Sequence, residues 1–227
     1  MMFHYRWYYA ADRAFAQTWI VNSRDAQMEE GARRGAMRAF NDRQVGRMAL
    51  VGCTEQNRPV IEDSYRFVLD TLNRHVRRMP YLFGSRPSLA DFGIYGQLQI
   101  LSIDPTPAAE MRARAPNVFC WPMRLDDASG CDGAWADAAT PLPRRSWRCC
   151  DMQDRPTCRS WLPTRALQHG ESSFDVEILG RRFSQGPFRY QGKCYDALRK
   201  RHSALPSEAR RRIERVLAVT GCHTFLA

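Results

Sequence analysis

Lysine and long apolar runs are both scarce in this chain. Only Lys193 and Lys200 accompany 32 arginines, and alanine is abundant, a bias that GC-rich coding produces without any binding role. No apolar stretch approaches the ~18 residues that a membrane span requires. Arg6, Asp12 and Arg13 interrupt the apolar N-terminal stretch, so we expect no secretory signal. We therefore expect a cytoplasmic protein with no membrane partner.

Metal-site spacing is also missing, although the chain has eight cysteines. No C-x-x-C pair occurs, and no histidine lies within the cluster that runs from Cys131 to Cys158. The remaining cysteines are scattered along the chain, which argues against a disulfide scaffold. We therefore expect free thiols and neither a zinc site nor another metal site. A G-x-S-x-G nucleophile elbow and a phosphate-binding glycine loop are absent as well.

The positive charge is unevenly distributed. The net charge of the chain is +10, of which residues 131–227 carry +7. The densest basic run, Arg210 to Arg212 with Arg215, has no aromatic residue nearby in the sequence, whereas surfaces that bind nucleic acid often combine cations with stacking aromatics. We interpret this run as a solvated face, and nucleic acid is not an expected partner.

Apolar residues make up 44% of the 227 residues, enough for a packed core in one large domain or two small ones. Periods of three and four residues predict helices over most of residues 1–130. The predicted helices are residues 1–19, 26–51, 59–78, a helix that begins after Ser88, 104–114 and 116–130. The stretch 131–160 has no periodicity. Further on, 174–179 and 181–184 alternate as a small hairpin does, and 188–202 and 207–220 are again helical.

The clearest local signal lies at the start of the helix after Ser88. The Ser88 hydroxyl can accept a hydrogen bond from the backbone three residues on, and Asp91 can accept one from the Ser88 amide, which forms a capping box. Pro87 and Phe92 occupy the two positions of a hydrophobic staple. Apolar residues follow on every side of the helix, so we expect it to be central and buried all round.

The segment Leu82–Phe92, with its G-x-x-x-S-x-A-D-F pattern, resembles the C-terminal helical domain of the glutathione S-transferases. Pro116 and Trp121 are similar to the helix that follows in that family, and Phe188–Cys194 resembles an extension found in a bacterial subgroup. The resemblance implies an all-α bundle over residues 1–130, an irregular segment over 131–160, for which we consider a frameshift, and a helical extension over 161–227.

The resemblance also implies glutathione as co-substrate, a small electrophilic substrate and a homodimer. In the family, an N-terminal thioredoxin-like domain binds glutathione and activates its thiol. No such pattern is visible here, so we expect a truncated member without catalytic residues or a cofactor of its own. The first helix would line the electrophile pocket with His4, Tyr5, Tyr8, Tyr9 and Asp12. For these residues the alternative is that the aromatics belong to the core and the polar groups are solvated. For the chain as a whole, the alternatives are a non-catalytic structural or interaction module and, behind it, binding of an acidic partner such as RNA through the C-terminal arginines.

Overall fold

The structure, a computed structural model, describes residues 1–136 and 172–220. These residues form nine α-helices, a turn of 3₁₀-helix at Ala49–Val51 and one antiparallel pair of strands. The helices are α1 Met2–Tyr8, α2 Ala10–Arg24, α3 Glu30–Val45, α4 Arg58–Val76, α5 Leu89–Ile103, α6 Pro105–Arg114, α7 Pro116–Asp126, α8 Arg189–Ser203 and α9 Ser207–Thr220, and the strands are β1 Phe174–Ile178 and β2 Arg181–Gln185. The mainly helical prediction and the hairpin are confirmed. Most of the predicted irregular segment lies outside the described residues. No helix in the described part of the chain is long and apolar enough to cross a membrane.

The described residues divide into two units. The first comprises residues 1–49 and 65–136, and the second comprises 50–64 and 172–220. The sequence analysis placed residues 50–64 in a domain that ends at residue 130, whereas the structure groups them with the C-terminal part. Within the second unit, the buried Asn57 donates to the Ser184 carbonyl at 2.6 Å and accepts from the Ser184 amide at 3.1 Å. Asn57 therefore bonds to β2 as a neighbouring strand would, which links 50–64 to the hairpin.

The core of the first unit is formed by α1 and α4–α7 together with Tyr81. It contains the fully buried Trp121, whose indole donates to the Pro80 carbonyl at 2.9 Å. This bond satisfies the one polar atom of the ring, as burial requires. Met123, two residues further along α7, is by contrast 63% exposed.

The capping box of α5 is present. Ser88 Oγ accepts from the Asp91 amide at 3.3 Å, and Asp91 Oδ2 accepts from the Ser88 amide at 2.8 Å. Asp91 is fully buried, and its Oδ1 also accepts from the Leu82 amide at 2.8 Å. Gly84 has φ +141°, and a Cβ there would lie 2.3 Å from the Ala134 carbonyl oxygen. Gly84 therefore allows the loop before α5 to pair closely with residues 134–136.

The prediction that α5 is buried on all sides is wrong. Leu89 is 85% exposed, Phe92 42% and Ile103 38%, whereas Leu98 and Leu101 are buried. With Phe92 this exposed, a staple between it and the half-buried Pro87 adds little buried area. The helix packs against α1, α6 and α7 along one face, and its outer face stays apolar and accessible.

Candidate functional site: the α1–α2 junction

The N-terminal helix, predicted to be continuous, is two helices that meet at Tyr9. Tyr9 has φ −83° and ψ 135°, which is extended backbone, and no side chain caps the start of α2. The break turns the chain so that the Tyr9 ring stacks on that of Tyr5, with centroids 5.9 Å apart. Rings on both sides of the break therefore belong to one cluster. The prediction of an uninterrupted helix is wrong here because periodicity alone does not register a single extended residue.

Four of the five residues predicted to line a pocket form this aromatic cluster. The His4 ring stacks on Tyr8 at 4.9 Å and meets Tyr5 edge-on at 5.5 Å and Tyr9 edge-on at 6.1 Å. Tyr5 also meets Tyr65 of α4 edge-on at 4.9 Å. Such offset and edge-on pairs are the favoured aromatic geometries. The cluster is therefore a close-packed aromatic layer.

The phenol groups at the inner side of the cluster are hydrogen-bonded to α6. Tyr5 Oη donates to Glu110 Oε2 at 3.1 Å, and Arg66 Nε donates to Glu110 Oε1 at 2.6 Å. Tyr65 Oη donates to the Pro107 carbonyl at 2.9 Å. Burial raises the pKa of Tyr65 far above its ordinary value, and the nearby Glu110 carboxylate adds to the shift. Tyr65 is therefore a hydrogen-bond donor and not a base at physiological pH.

A buried ion pair lies next to the cluster. Arg6 donates through Nε and Nη2 to the two carboxylate oxygens of Asp104, at 2.8 and 3.0 Å. The Arg6 side chain is 8% exposed and that of Asp104 is fully buried, and the guanidinium also lies over the Trp19 ring, 5.1 Å from its centroid. Burial raises the pKa of Asp104; Arg6 opposes this shift, and the Asp12 carboxylate adds to it.

Asp12 caps a helix that lies far along the sequence. Its Oδ1 accepts from the Thr106 amide at 2.8 Å, and its Oδ2 accepts from the Thr106 hydroxyl. Thr106 is in the first turn of α6, where backbone amides lack partners within the helix. Asp104, the N-cap residue itself, makes no side-chain cap because its carboxylate pairs with Arg6. Asp12 therefore replaces the local cap.

The five predicted pocket residues thus separate into two groups. His4, Tyr5 and Asp12 are buried, and Tyr5 and Asp12 bond to α6. Tyr8 and Tyr9 are partly accessible. The structure brings all five to the α1–α2 junction, but only two of them are open to a ligand. An aromatic surface of this kind can stack on a planar apolar molecule, whereas Asp12 is already committed to the cap.

Comparison with protein families, curated proteins and solved structures gives no match.

Among residues 1–136 and 172–220, no group of three or more His, Cys, Asp or Glu side chains could hold a metal ion. Four of the eight cysteines lie in this part of the chain, and all four are free thiols: Cys53, Cys120, Cys131 and Cys194. Burial raises the pKa of the Cys53 thiol, which keeps this cysteine protonated. The rest of the predicted cysteine cluster, Cys149, Cys150 and Cys158, lies outside the described residues.

The buried pair Arg6–Asp104 and the cap from Asp12 were missed by sequence reasoning. A signal was present for each. Arg6 interrupts an apolar helical face, and a charge in such a position is buried only with a partner. Asp104 precedes a proline at the first position of α6. Neither signal identifies the partner, which lies more than ninety residues away in both cases.

Proposed function

We propose that this chain supplies the helical, electrophile-holding domain of a glutathione transferase-type protein, and that on its own it does not catalyse conjugation. The observation that carries the proposal is the start of α5, where a buried aspartate, a serine cap and a left-handed glycine form the motif on which the resemblance rests. The motif is a folding element, so it supports membership of this class and assigns no catalytic role.

The accessible part of the aromatic cluster suits the proposed role. Tyr8 and Tyr9 are partly accessible, so an apolar, electron-poor ring could stack on them, and their own rings are held by stacking on His4 and Tyr5. Conjugation also needs the thiolate of glutathione, which must be stabilised by a hydrogen-bond donor and held beside the electrophile. In the family that donor belongs to a thioredoxin-like domain. The described strands form one antiparallel pair and not the β-α-β unit of such a domain.

The second candidate is a non-catalytic structural or interaction module. The observation in its favour is that three of the five predicted pocket residues are buried, and Asp12 serves as a helix cap. Both candidates agree that the chain alone is inactive, and they differ on whether the aromatic cluster binds a small molecule.

Equilibrium dialysis with 1,3-dinitrobenzene separates the two candidates, because its nitro groups are meta to each other, so neither activates the other for displacement by the free thiols. We expect the chain to bind it and Tyr8→Ala to weaken binding roughly 2- to 10-fold, the value of one aromatic contact. Tyr190→Ala is the matched control, since Tyr190 is 75% exposed in the second unit. Equal binding by the two variants would favour the interaction module. Conjugation of glutathione with chlorodinitrobenzene by the chain alone, above the uncatalysed rate, would refute the claim that it is inactive by itself.

A further inference from the structure

The end of α8 and the beginning of α9 together carry half of the net charge of the chain. Residues 199–215 contain seven Lys or Arg and two Glu, a net charge of +5, against +10 for all 227 residues. Two carboxylates cannot neutralise seven cations within this segment. We call this segment the basic tip. Six of its seven cations are exposed, Arg210 being half-buried: Arg199, Lys200, Arg201, Arg211, Arg212 and Arg215.

Arg210 joins the two helical segments of the basic tip. Its guanidinium in α9 donates to the Ser203 carbonyl and, at 3.2 Å, to the Leu205 carbonyl, at the C-terminal end of α8. These carbonyls lack partners within the helix, so Arg210 caps α8 and holds the first turns of α9 against it. The two basic segments, which are separated along the chain, are thereby brought to the same corner of the second unit.

Helix stability accounts for only part of this charge. Lys200 and Arg201 lie in the last turn of α8, where cations interact favourably with the helix dipole. Arg211 and Arg212 lie in the N-terminal half of α9, where the dipole gives no such benefit. Helix stability therefore does not account for their accumulation there.

We propose that the basic tip binds the phosphate backbone of a nucleic acid through charge and without sequence readout. Guanidinium groups donate two parallel hydrogen bonds to a phosphate, and all but one of the seven cations are arginines. A bilayer is the less suitable polyanion, because an interfacial helix presents large apolar side chains beside its cations. Among the described residues of the basic tip, Ile213 is the one large hydrophobic side chain that is exposed, at 39%. Residues 210–215 contain no aromatic side chain, which argues against stacking on bases. Contacts between the arginines and the phosphates do not need one.

The test measures fluorescence anisotropy of labelled oligo(U) and of a labelled DNA duplex from about 50 to 200 mM salt. We expect affinity to fall steeply with salt. The triple variant Arg211→Gln/Arg212→Gln/Arg215→Gln should reduce the log–log salt slope by about 2 on the single strand and about 3 on the duplex. The affinities of the parent chain for the two probes at equal salt show which form of nucleic acid the surface prefers.

The matched control is Arg38→Gln/Arg43→Gln/Arg47→Gln, which removes three exposed arginines in and just after α3 of the first unit. It lowers net charge equally, so it should leave the slope within about 1 of the parent if binding is local. Equal effects of the two triple variants would refute a defined surface and indicate general attraction to a basic protein. Binding to phosphatidylserine vesicles, with no binding to either nucleic acid, would overturn the proposal in favour of a membrane surface.

Discussion

The Arg6–Asp104 pair permits a quantitative test of what holds the first unit together. In Arg6→Met the side chain keeps its apolar stem, but the buried Asp104 carboxylate loses both of its guanidinium bonds. Breaking a buried pair by removing one partner costs about 3–5 kcal/mol, because a charge is left without compensation in a poorly solvated site. We expect the free energy of unfolding in urea to fall by that amount at pH 7.

The pair Arg114–Asp70 is a control because it has the same two-bond geometry and is much less buried. Arg114 donates through Nε and Nη2 to Asp70 at 2.8 and 2.7 Å, with the side chains 43% and 37% exposed. Arg114→Met should therefore cost about 1 kcal/mol or less. The double variant Arg6→Met/Asp104→Leu removes both buried charges and should recover most of the loss, since apolar replacements of buried pairs are often neutral or stabilising.

The pH dependence of Arg6→Met follows from the same carboxylate. The pKa of Asp104 is raised by burial even beside Arg6, and removal of the guanidinium raises it further. Where the folded-state pKa exceeds the unfolded one, the folded state binds more protons, and stability falls as pH rises through the raised pKa. The cost of Arg6→Met should therefore be small near the ordinary pKa of aspartate and reach its full size at neutral pH. A cost that is independent of pH, or a double variant as unstable as the single one, would refute this reasoning.

Three further substitutions test individual hydrogen-bond networks by urea unfolding or hydrogen exchange. Asp12→Ala removes the cap of α6 and leaves the half-buried Thr106 amide without its acceptor, so it should cost about 1–3 kcal/mol. Asp91→Ala removes the acceptor for the amides of Leu82 and Ser88 and should cost more than Ser88→Ala, which removes one cap worth about 1 kcal/mol; equal losses would contradict the role given to the buried carboxylate. Asn57→Ala should speed hydrogen exchange of the Ser184 amide in β2, which donates to Asn57 in the parent chain. The amides that pair the two strands of the hairpin serve as the internal reference.

Local features of the fold were predictable from the sequence, and distant ones were not. The capping box joins Ser88 to a residue three positions away, so spacing alone predicts it. The apolar sequence of α5 predicted a buried helix, but composition does not say how many faces have neighbours, and Leu89 is almost fully accessible. The role of Asp12 depends on Thr106, which is 94 residues away. No periodicity relates two such positions, and the same limit hid the partner of Arg6.

The remote cap of α6 has a consequence for the order in which the first unit can be completed. During synthesis, Asp12 emerges 94 residues before Thr106, whose amide donates to it. Arg6 likewise emerges 98 residues before Asp104. Closing loops of this length must precede any gain from the contacts, which slows folding. The N-terminal helices therefore wait with two charged groups solvated until α6 has been made. Neither contact can form before Asp104 has been synthesised.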